Sequence, residues 1–247
     1  MARDLRAVVV IPAYNEGATI GGLLSQLVNI KARAPSLISK IVVVNDGSTD
    51  RTGRTAARYA DKVVNFETNR GKAEAFYEGV KIAAAYGSPA MITLDGDLKG
   101  VSAAQLVKLV LPLGKPAGGG VVGMSVALEK GSGFALSGQR AFLTDSLKCL
   151  QRSRKLRERL LRRNEKIRGG YGLERFLNRL FENRAAKAKV SFEAGPTTLH
   201  RQHGRLPGDR ERLFSEIAEM EASLSRRKKL AGDMRETLAI RRKHRHG

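Results

Sequence analysis

Along the first hundred positions, short runs of β-branched and aliphatic residues alternate with longer segments in which apolar residues return every three or four places. Ala7 to Ile11, with Val8-Val9-Val10 at its centre, is apolar on both faces, the pattern of a strand inside a parallel sheet. Ile20, Leu23, Leu24, Leu27 and Val28 then recur at helical spacing and predict an amphipathic helix. Ile41 to Val44 predicts a second strand, after which Asp50 is expected to cap a helix running through Ala56 and Ala57. Lys62 to Asn65 reads as a third strand, Ala75, Phe76, Val80, Ile82 and Ala83 as the buried stripe of a third helix, and Met91 to Leu94 as a fourth strand. Ser102 is expected to cap the helix that carries Leu106, Val107 and Val110. Strands alternating with helices at these spacings predict an α/β, mostly parallel sheet of Rossmann-like form, with right-handed crossovers and helices on both faces.

Beyond Leu111 the rhythm changes. Pro112, Pro116 and Gly118-Gly119-Gly120 mark a loop, Val121 to Val126 reads as a further strand, and Lys130-Gly131-Ser132-Gly133 reads as a turn. From Arg140 to Ile167 the pattern is helical and heavily charged, with Leu143, Leu147, Leu150, Leu156, Leu160 and Leu161 forming an imperfect apolar stripe. A shorter helix with Leu173, Phe176, Leu177 and Leu180 follows Gly169-Gly170, then a strand near Lys189 to Phe192. Leu213, Ile217, Met220 and Leu224 give the C-terminal helix a narrow seam for the body of the protein or for a partner such as a second copy in a homodimer. The basic tail 241–246 has nothing to bury.

Composition adds a bias in partners. The net charge is +21, with the excess in Arg140 to Arg168 and Arg226 to Arg245, where it would attract phosphates of nucleic acids, anionic membrane lipids or small substrates. No apolar run approaches the ~20 residues needed to cross a bilayer, and Arg3, Asp4 and Arg6 do not resemble a signal peptide. A cytoplasmic location, at most peripheral to the inner face of the membrane, is therefore expected. The single Cys149 excludes an internal disulfide and offers no metal-binding pair.

Four polar clusters stand at or just beyond strand ends: Tyr14-Asn15-Glu16, Asn45-Asp46-Gly47, Arg70-Gly71-Lys72 and Asp95-Gly96-Asp97. Loops that leave one edge of a parallel sheet converge, so these four can build one site. Two carboxylates one residue apart at a strand exit offer hard oxygen ligands to Mg²⁺ or Mn²⁺, although the triplet alone is ordinary loop sequence. Asp46 can accept hydrogen bonds from a nucleobase or ribose, and equally can belong to a simple turn. Lys72, at a helix start, can meet a phosphate together with backbone N–H groups. Arg70 reads as solvated charge.

Taken together, Val9-Val10-Ile11-Pro12-Ala13-Tyr14-Asn15-Glu16, Val44-Asn45-Asp46-Gly47-Ser48-Thr49-Asp50, Asn69-Arg70-Gly71-Lys72 and Leu94-Asp95-Gly96-Asp97 resemble the nucleotide-sugar half of family 2 glycosyltransferases with the GT-A fold. The resemblance covers about the first 110 residues. It implies that Pro12, Ala13, Tyr14 and Glu16 line the nucleotide, that Asp46 reads the base, that Lys72 supports the diphosphate, and that Asp95, Gly96 and Asp97 handle ribose, metal and diphosphate. Leu136-Ser137-Gly138-Gln139-Arg140, Gly170-Tyr171-Gly172-Leu173-Glu174 and Thr198-Leu199-His200 stand in the order seen in enzymes similar to glucosyl-3-phosphoglycerate synthase. That likeness implies that Glu174 contacts the sugar, that His200 completes a metal site with Asp97 and Asp95, and that Ser137, Gly138, Gln139 and Arg140 face the acceptor. His203 is an alternative ligand. Residues 1–111 are thus expected to form the donor half, and 112–205 an acceptor and metal-completing half with a charged helical insertion at 145–168. Residues 206–247 would be an appended helix and tail.

The expected activity is metal-dependent, non-processive transfer from a nucleotide-sugar, with a UDP-sugar favoured, to a phosphate-bearing small molecule or a polyprenyl phosphate at an anionic membrane. The chain has no Trp and so lacks the Gln-x-x-Arg-Trp motif of processive synthases. Whether configuration at the sugar is retained or inverted is left open, and no base is assigned. Two rivals stand beside this reading. One is a nucleic-acid-binding protein using Arg152 to Arg168 and Arg226 to Arg245, against which the near absence of aromatic residues in those stretches counts. The other is a partner-binding scaffold that uses the C-terminal seam without turnover.

Overall fold

The structure is a computed structural model and describes residues 6–117, 120–127, 138–161, 172–188 and 190–194. The first half runs β1 (Ala7–Ala13), α1 (Ile20–Arg33), β2 (Ile38–Asn45), α2 (Thr52–Ala56), β3 (Lys62–Asn65), α3 (Lys72–Ala85), β4 (Ala90–Thr93), β5 (Leu98–Lys99) and α4 (Ala103–Val110). The second half runs β6 (Pro116–Ala117), β7 (Gly120–Val121), β8 (Met124–Ala127), β9 (Arg140–Leu143), α5 (Thr144–Arg152), α6 (Arg154–Leu161), α7 (Gly172–Leu180), β10 (Ala185–Ala188) and β11 (Glu193–Ala194).

Seven strands form the main sheet in the order β10-β8-β9-β4-β1-β2-β3. β1 pairs in parallel with both β2 and β4, and β2 with β3, as the alternation of strands and helices requires. β9 lies antiparallel between β4 and β8. The sheet is buried on both sides. Val9, Ile11, Ile41, Val43 and Ile92 share one apolar cluster with Ile20, Leu23, Leu24 and Leu27 of α1 and Leu106 and Leu109 of α4. The intervening residues Val8, Val10, Val42, Val44 and Met91 pack on the other side with Phe76 and Val80 of α3, Leu147 and Leu150 of α5 and Leu177 of α7. Two-residue alternation between two cores is why these strands read as unbroken apolar runs.

α3 lies close enough to β1 that a Cβ at Gly79 would overlap Cγ1 of Val10, which is fully buried. Gly79→Ala is therefore expected to destabilise the fold by about 2 kcal/mol despite alanine's better helix propensity, because overpacking outweighs the propensity gain of about 1 kcal/mol. Chemical denaturation would measure the difference.

Several expectations are corrected. Arg140 to Leu143 is a strand rather than the start of a helix, and the helical segment begins at Thr144. Val121 to Val126 is not one strand: β6 and β7 form a two-stranded ribbon, and β8 begins at Met124. The strand expected near Lys189 to Phe192 lies earlier, at Ala185–Ala188, where it pairs in parallel with β8. Asp50 is not the N-cap of α2, which is Arg51. Its carboxylate instead accepts from the Thr52 N–H at 2.8 Å and the Gly17 N–H at 2.9 Å, tying the loop after β1 to the loop after β2. Ser102 does cap α4, in a capping box with Gln105. Among the described residues no helix is long and apolar enough to cross a membrane. The C-terminal seam and the basic tail lie outside the described residues.

Candidate functional site

Because β1, β2, β3 and β4 are parallel, their C-terminal ends leave one edge of the sheet. β9 runs against β4 with Arg140 opposite Thr93, so Gly138 and Gln139 arrive at the edge from which Asp95 departs. That single antiparallel strand carries the second-half motif to the first-half loops.

The loops there are tied by side chains. Asn15 takes a φ of 55°, a left-handed conformation that asparagine tolerates better than most residues. Its N–H donates to Ser48 Oγ at 2.9 Å, and its Oδ1 accepts from the Thr49 N–H at 2.9 Å. The Glu16 N–H donates to Thr52 Oγ1 at 2.8 Å. Asp46 is buried and its carboxylate accepts from the N–H groups of Arg70 at 2.7 Å and Gly71 at 2.8 Å. It therefore positions the loop that leads into Lys72. Arg70 stacks on Phe66, with its guanidinium carbon 4.7 Å from the ring centre.

At the centre stands Lys72, the first residue of α3. Its Nζ lies 2.8 Å from Asp95 Oδ1 and 2.9 Å from Glu174 Oε1. Burial opposes the charge, but the carboxylates of Asp95 and Glu174 outweigh it and hold the ammonium's pKa far above the ordinary lysine value. Asp95 also accepts from Gln139 Nε2 at 2.7 Å through its second oxygen. A Cβ on Gly138 would fall on the Asp95 carboxylate, so this close approach requires glycine. Thr93 Oγ1 fixes the same loop by donating to the Gly138 carbonyl at 3.0 Å.

Arg140 is 1% exposed and donates to Asn178 Oδ1 at 2.7 Å. Burial pulls its pKa down to about 10, with the fields of Glu174 and Asp95 opposing. Glu174 is 3% exposed, and its Oε2 has no hydrogen-bond partner while Oε1 holds Lys72. These groups line a narrow recess of about 10 Å³, closed on its apolar side by Pro12, Phe76, Leu173 and Leu177.

Asp97 is buried beside the recess loop, and Glu16 lies against Gly96, where the glycine leaves room for its stem. Burial, followed by the carboxylate of Asp97, pushes the Glu16 carboxyl up to about 7 against the hydrogen bond from Thr19. In metal-free protein the fold thus binds this proton more tightly than the unfolded chain, whose carboxyl titrates near 4.5. Glu16 adds stability at low pH, and that contribution is lost as pH rises from about 4.5 to about 7. The expected loss is about 1–2 kcal/mol after allowance for partial exposure, and Glu16→Gln should flatten it in a series of melts in EDTA. Asp50 and Asp61, whose carboxyls are held below the ordinary value, act with the opposite sign at more acidic pH.

The oxygen donors of Asp95 and Asp97, with the Glu16 carboxyl close enough to feel the charge of both, fit a divalent cation of the Mg²⁺ or Mn²⁺ kind. Among the described residues no three acidic, histidine or cysteine side chains converge as a metal cage. Mg²⁺ commonly takes one or two carboxylates and fills its shell with water and phosphate. His200 and Ser137, both expected at the site, lie outside the described residues.

The structure thus brings together Pro12, Lys72, Asp95, Gly138, Arg140 and Glu174 around one recess, with Gln139 bonded to Asp95. Glu16 and Gly96 meet alongside, while Ala13 receives the Asp46 N–H through its carbonyl at 2.8 Å. Tyr14 is half-buried in the same loop. Sequence reasoning missed Asn178 and Thr93. Asn178 stands four residues after Glu174, one turn along α7, a spacing that signals a shared face.

The sequence profile of glycosyl transferase family 2 matches residues 8–179. Over 77 residues, 29% of this chain, the sequence is 39% identical to 4,4'-diaponeurosporenoate glycosyltransferase of Staphylococcus aureus. The chain spans only 19% of that relative's length. Glucosyl-3-phosphoglycerate synthase from Mycobacterium tuberculosis, solved with Mn²⁺ and UDP-glucose, shares the fold with a TM-score of 0.59 and 20% identity, over 88% of this chain and 78% of that one. Its complex with Mn²⁺, UDP and glucosyl-3-phosphoglycerate gives a TM-score of 0.58 at 22% identity, over 80% of this chain and 75% of that one.

Proposed function

Because the chain belongs to glycosyl transferase family 2, we propose that it moves a hexosyl group from a UDP-sugar to a phosphate-bearing small molecule, with a divalent cation bound at Asp95 and Asp97. The observation that carries this reading is the Lys72 ammonium held between Asp95, on the donor loop, and Glu174, on α7. A cation at the junction of the two halves stands where a diphosphate leaving group and a transferred sugar would meet. Support for UDP, a divalent metal and a phosphorylated acceptor comes from the ligands of the M. tuberculosis enzyme that shares the fold.

In this mechanism Pro12, Ala13, Tyr14 and Glu16 line the nucleoside, and Asp46 acts by holding the Arg70-Gly71 turn as well as by facing the base. Lys72 exchanges a carboxylate partner for a diphosphate oxygen and stabilises the charge that develops as the bond from C1 to oxygen breaks. Glu174 accepts a sugar hydroxyl on the oxygen that has no partner, which fixes the ring. Gln139 and Gly138 keep Asp95 in place while Lys72 moves. Asp95 and Asp97 would hold the divalent ion, with His200 as the expected further ligand. The bound ion would supply Lewis-acid neutralisation of the departing diphosphate. Arg140 and Lys72 together balance the charge of Glu174 and Asp95, so that a polyanionic donor meets no net repulsion there.

Thermal melts with UDP-, GDP- and dTDP-sugars, with and without Mn²⁺, test the reading. A UDP-sugar plus Mn²⁺ at a hundredfold excess over Kd is expected to add about 2.7 kcal/mol of stability, with smaller shifts from the other bases. A larger GDP-sugar shift would overturn the choice of donor, and no shift with any of them would overturn the function.

A further inference from the structure

Away from the recess, α1 and α2 enclose an open groove of about 450 Å³ that shares no lining residue with it. One wall carries Arg51, Arg54 and Arg58, spaced by three and four residues so that all three side chains fall on one face of α2 and the turn after it. The opposite wall is made of Gly17, Ala18 and Gly21 at the start of α1. Its smallness is built in. A Cβ on Gly17 would lie 2.7 Å from Arg51 Cγ and 2.8 Å from Asp50 Oδ2, and one on Gly21 would lie 3.1 Å from Thr55 Cγ2.

Of the three arginines only Arg51 has an acid beside it among the described residues. Asp50 spends its oxygens on the N–H groups of Gly17 and Thr52 and on the Thr52 hydroxyl, although its charge still lies near Arg51. Arg51 Nε donates to the Gly17 carbonyl at 3.1 Å, which fixes the stem and leaves the end of the guanidinium for another acceptor. Among the described residues the guanidinium groups of Arg54 and Arg58 have neither a hydrogen-bond nor an ion-pair partner. The first turn of the 14-residue α1 carries no acidic side chain, so the positive end of its dipole adds to the same field.

We propose that this groove is a second anion site, separate from the donor site, for a ligand carrying two or more linked phosphates. The chemistry favours that class. Guanidinium forks match phosphate oxygens in pairs, three of them exceed what a single phosphate needs, and a concave wall without side-chain bulk admits a compact polyanion. The ligand's phosphates can belong to a soluble polyphosphate ester or to a lipid headgroup. The groove adjoins the donor loop: Gly17 follows Glu16, and its peptide is held by Asp50 on one side and Arg51 on the other.

Calorimetric titration of the full chain with inorganic tripolyphosphate, and sedimentation with phosphatidylcholine vesicles containing diacylglycerol diphosphate, test the site and distinguish the two sources. Arg54→Gln/Arg58→Gln is expected to weaken the bound probe by about tenfold or more. Arg152→Gln/Lys155→Gln removes the same charge from exposed positions on α5 and α6 and is expected to change binding by less than about twofold. All four positions are exposed, so the melting temperatures of both variants should match the parent and exclude misfolding. A groove-specific loss with tripolyphosphate assigns a soluble ligand, and one seen only with vesicles assigns a headgroup. Equal loss in both variants, no loss in either, or no binding of either probe overturns the proposal.

Discussion

Asp97→Ala is expected to lower Mn²⁺-dependent release of UDP from the donor by about a thousandfold while leaving the fold intact, on the scale of removing one preorganised electrostatic contact to a developing charge. The two effects separate because the Asp97 carboxylate opposes ionisation of Glu16 in the metal-free protein. It is buried, and it is the largest of the neighbouring charges that raise Glu16. Taking it away lets Glu16 ionise more readily, so the melting temperature in EDTA near pH 7 should stay within a few degrees of the parent. In Mn²⁺ the parent should gain stability and the variant should not, because only the parent keeps both carboxylates. The asymmetry is the one expected of a functional site, where groups are held in positions that the fold alone does not favour. Activity within about tenfold of the parent would remove Asp97 from the metal site.

The halves of the chain differ in how openly the sequence speaks. The centres of β1, β2 and β4 are buried on both faces, so residues 7–11, 41–44 and 90–92 are unbroken apolar runs, the pattern of parallel strands. β9 hides because it opens with an arginine, and a charged residue beside Ala141-Phe142-Leu143 continues the charged pattern of the following helix. What makes Arg140 tolerable in a central strand is its bond to Asn178 and its contact with Met124 Sδ at 3.3 Å, neither of which is visible until α7 and β8 are in place. β10 is obscured by its own residues: Ala185-Ala186-Lys187-Ala188 has low strand propensity and is a strand because β8 offers it an edge.

The site divides along the same line. Clusters at the exits of parallel strands announce themselves, since topology alone brings Glu16, Asp46 and Asp95 to one edge. The likeness places Glu174 at the sugar, but its pairing with Lys72 does not announce itself, because Glu174 is 102 residues away and reaches the recess only once β9 and α7 have turned the second half back onto the first. Asp46 shows a subtler limit. Its position was legible, but the two backbone N–H groups that its carboxylate binds give it a structural duty beyond any contact with a base.

The pairing of Lys72 with Glu174 makes the second large prediction. Lys72→Ala should reduce turnover by about 100- to 1,000-fold through loss of charge stabilisation at the diphosphate, and should also cost about 1–3 kcal/mol of stability. The stability cost arises because Glu174, 3% exposed, is left as a carboxylate without its cation. The lower part of the range allows for the side-chain exposure of Lys72, 38%, and of Asp95, 32%, which lets water screen part of the interaction. Glu174→Gln in the Lys72→Ala background removes the stranded charge and should recover most of the stability but none of the turnover. A double-mutant cycle by chemical denaturation would therefore show a coupling energy of about 1 kcal/mol or more between the two positions, whereas the kinetic losses would not be rescued by pairing the substitutions. If stability were additive and turnover survived Lys72→Ala, the ammonium would be a surface charge resting against two acids, and the junction of the two halves would have to find its cation elsewhere.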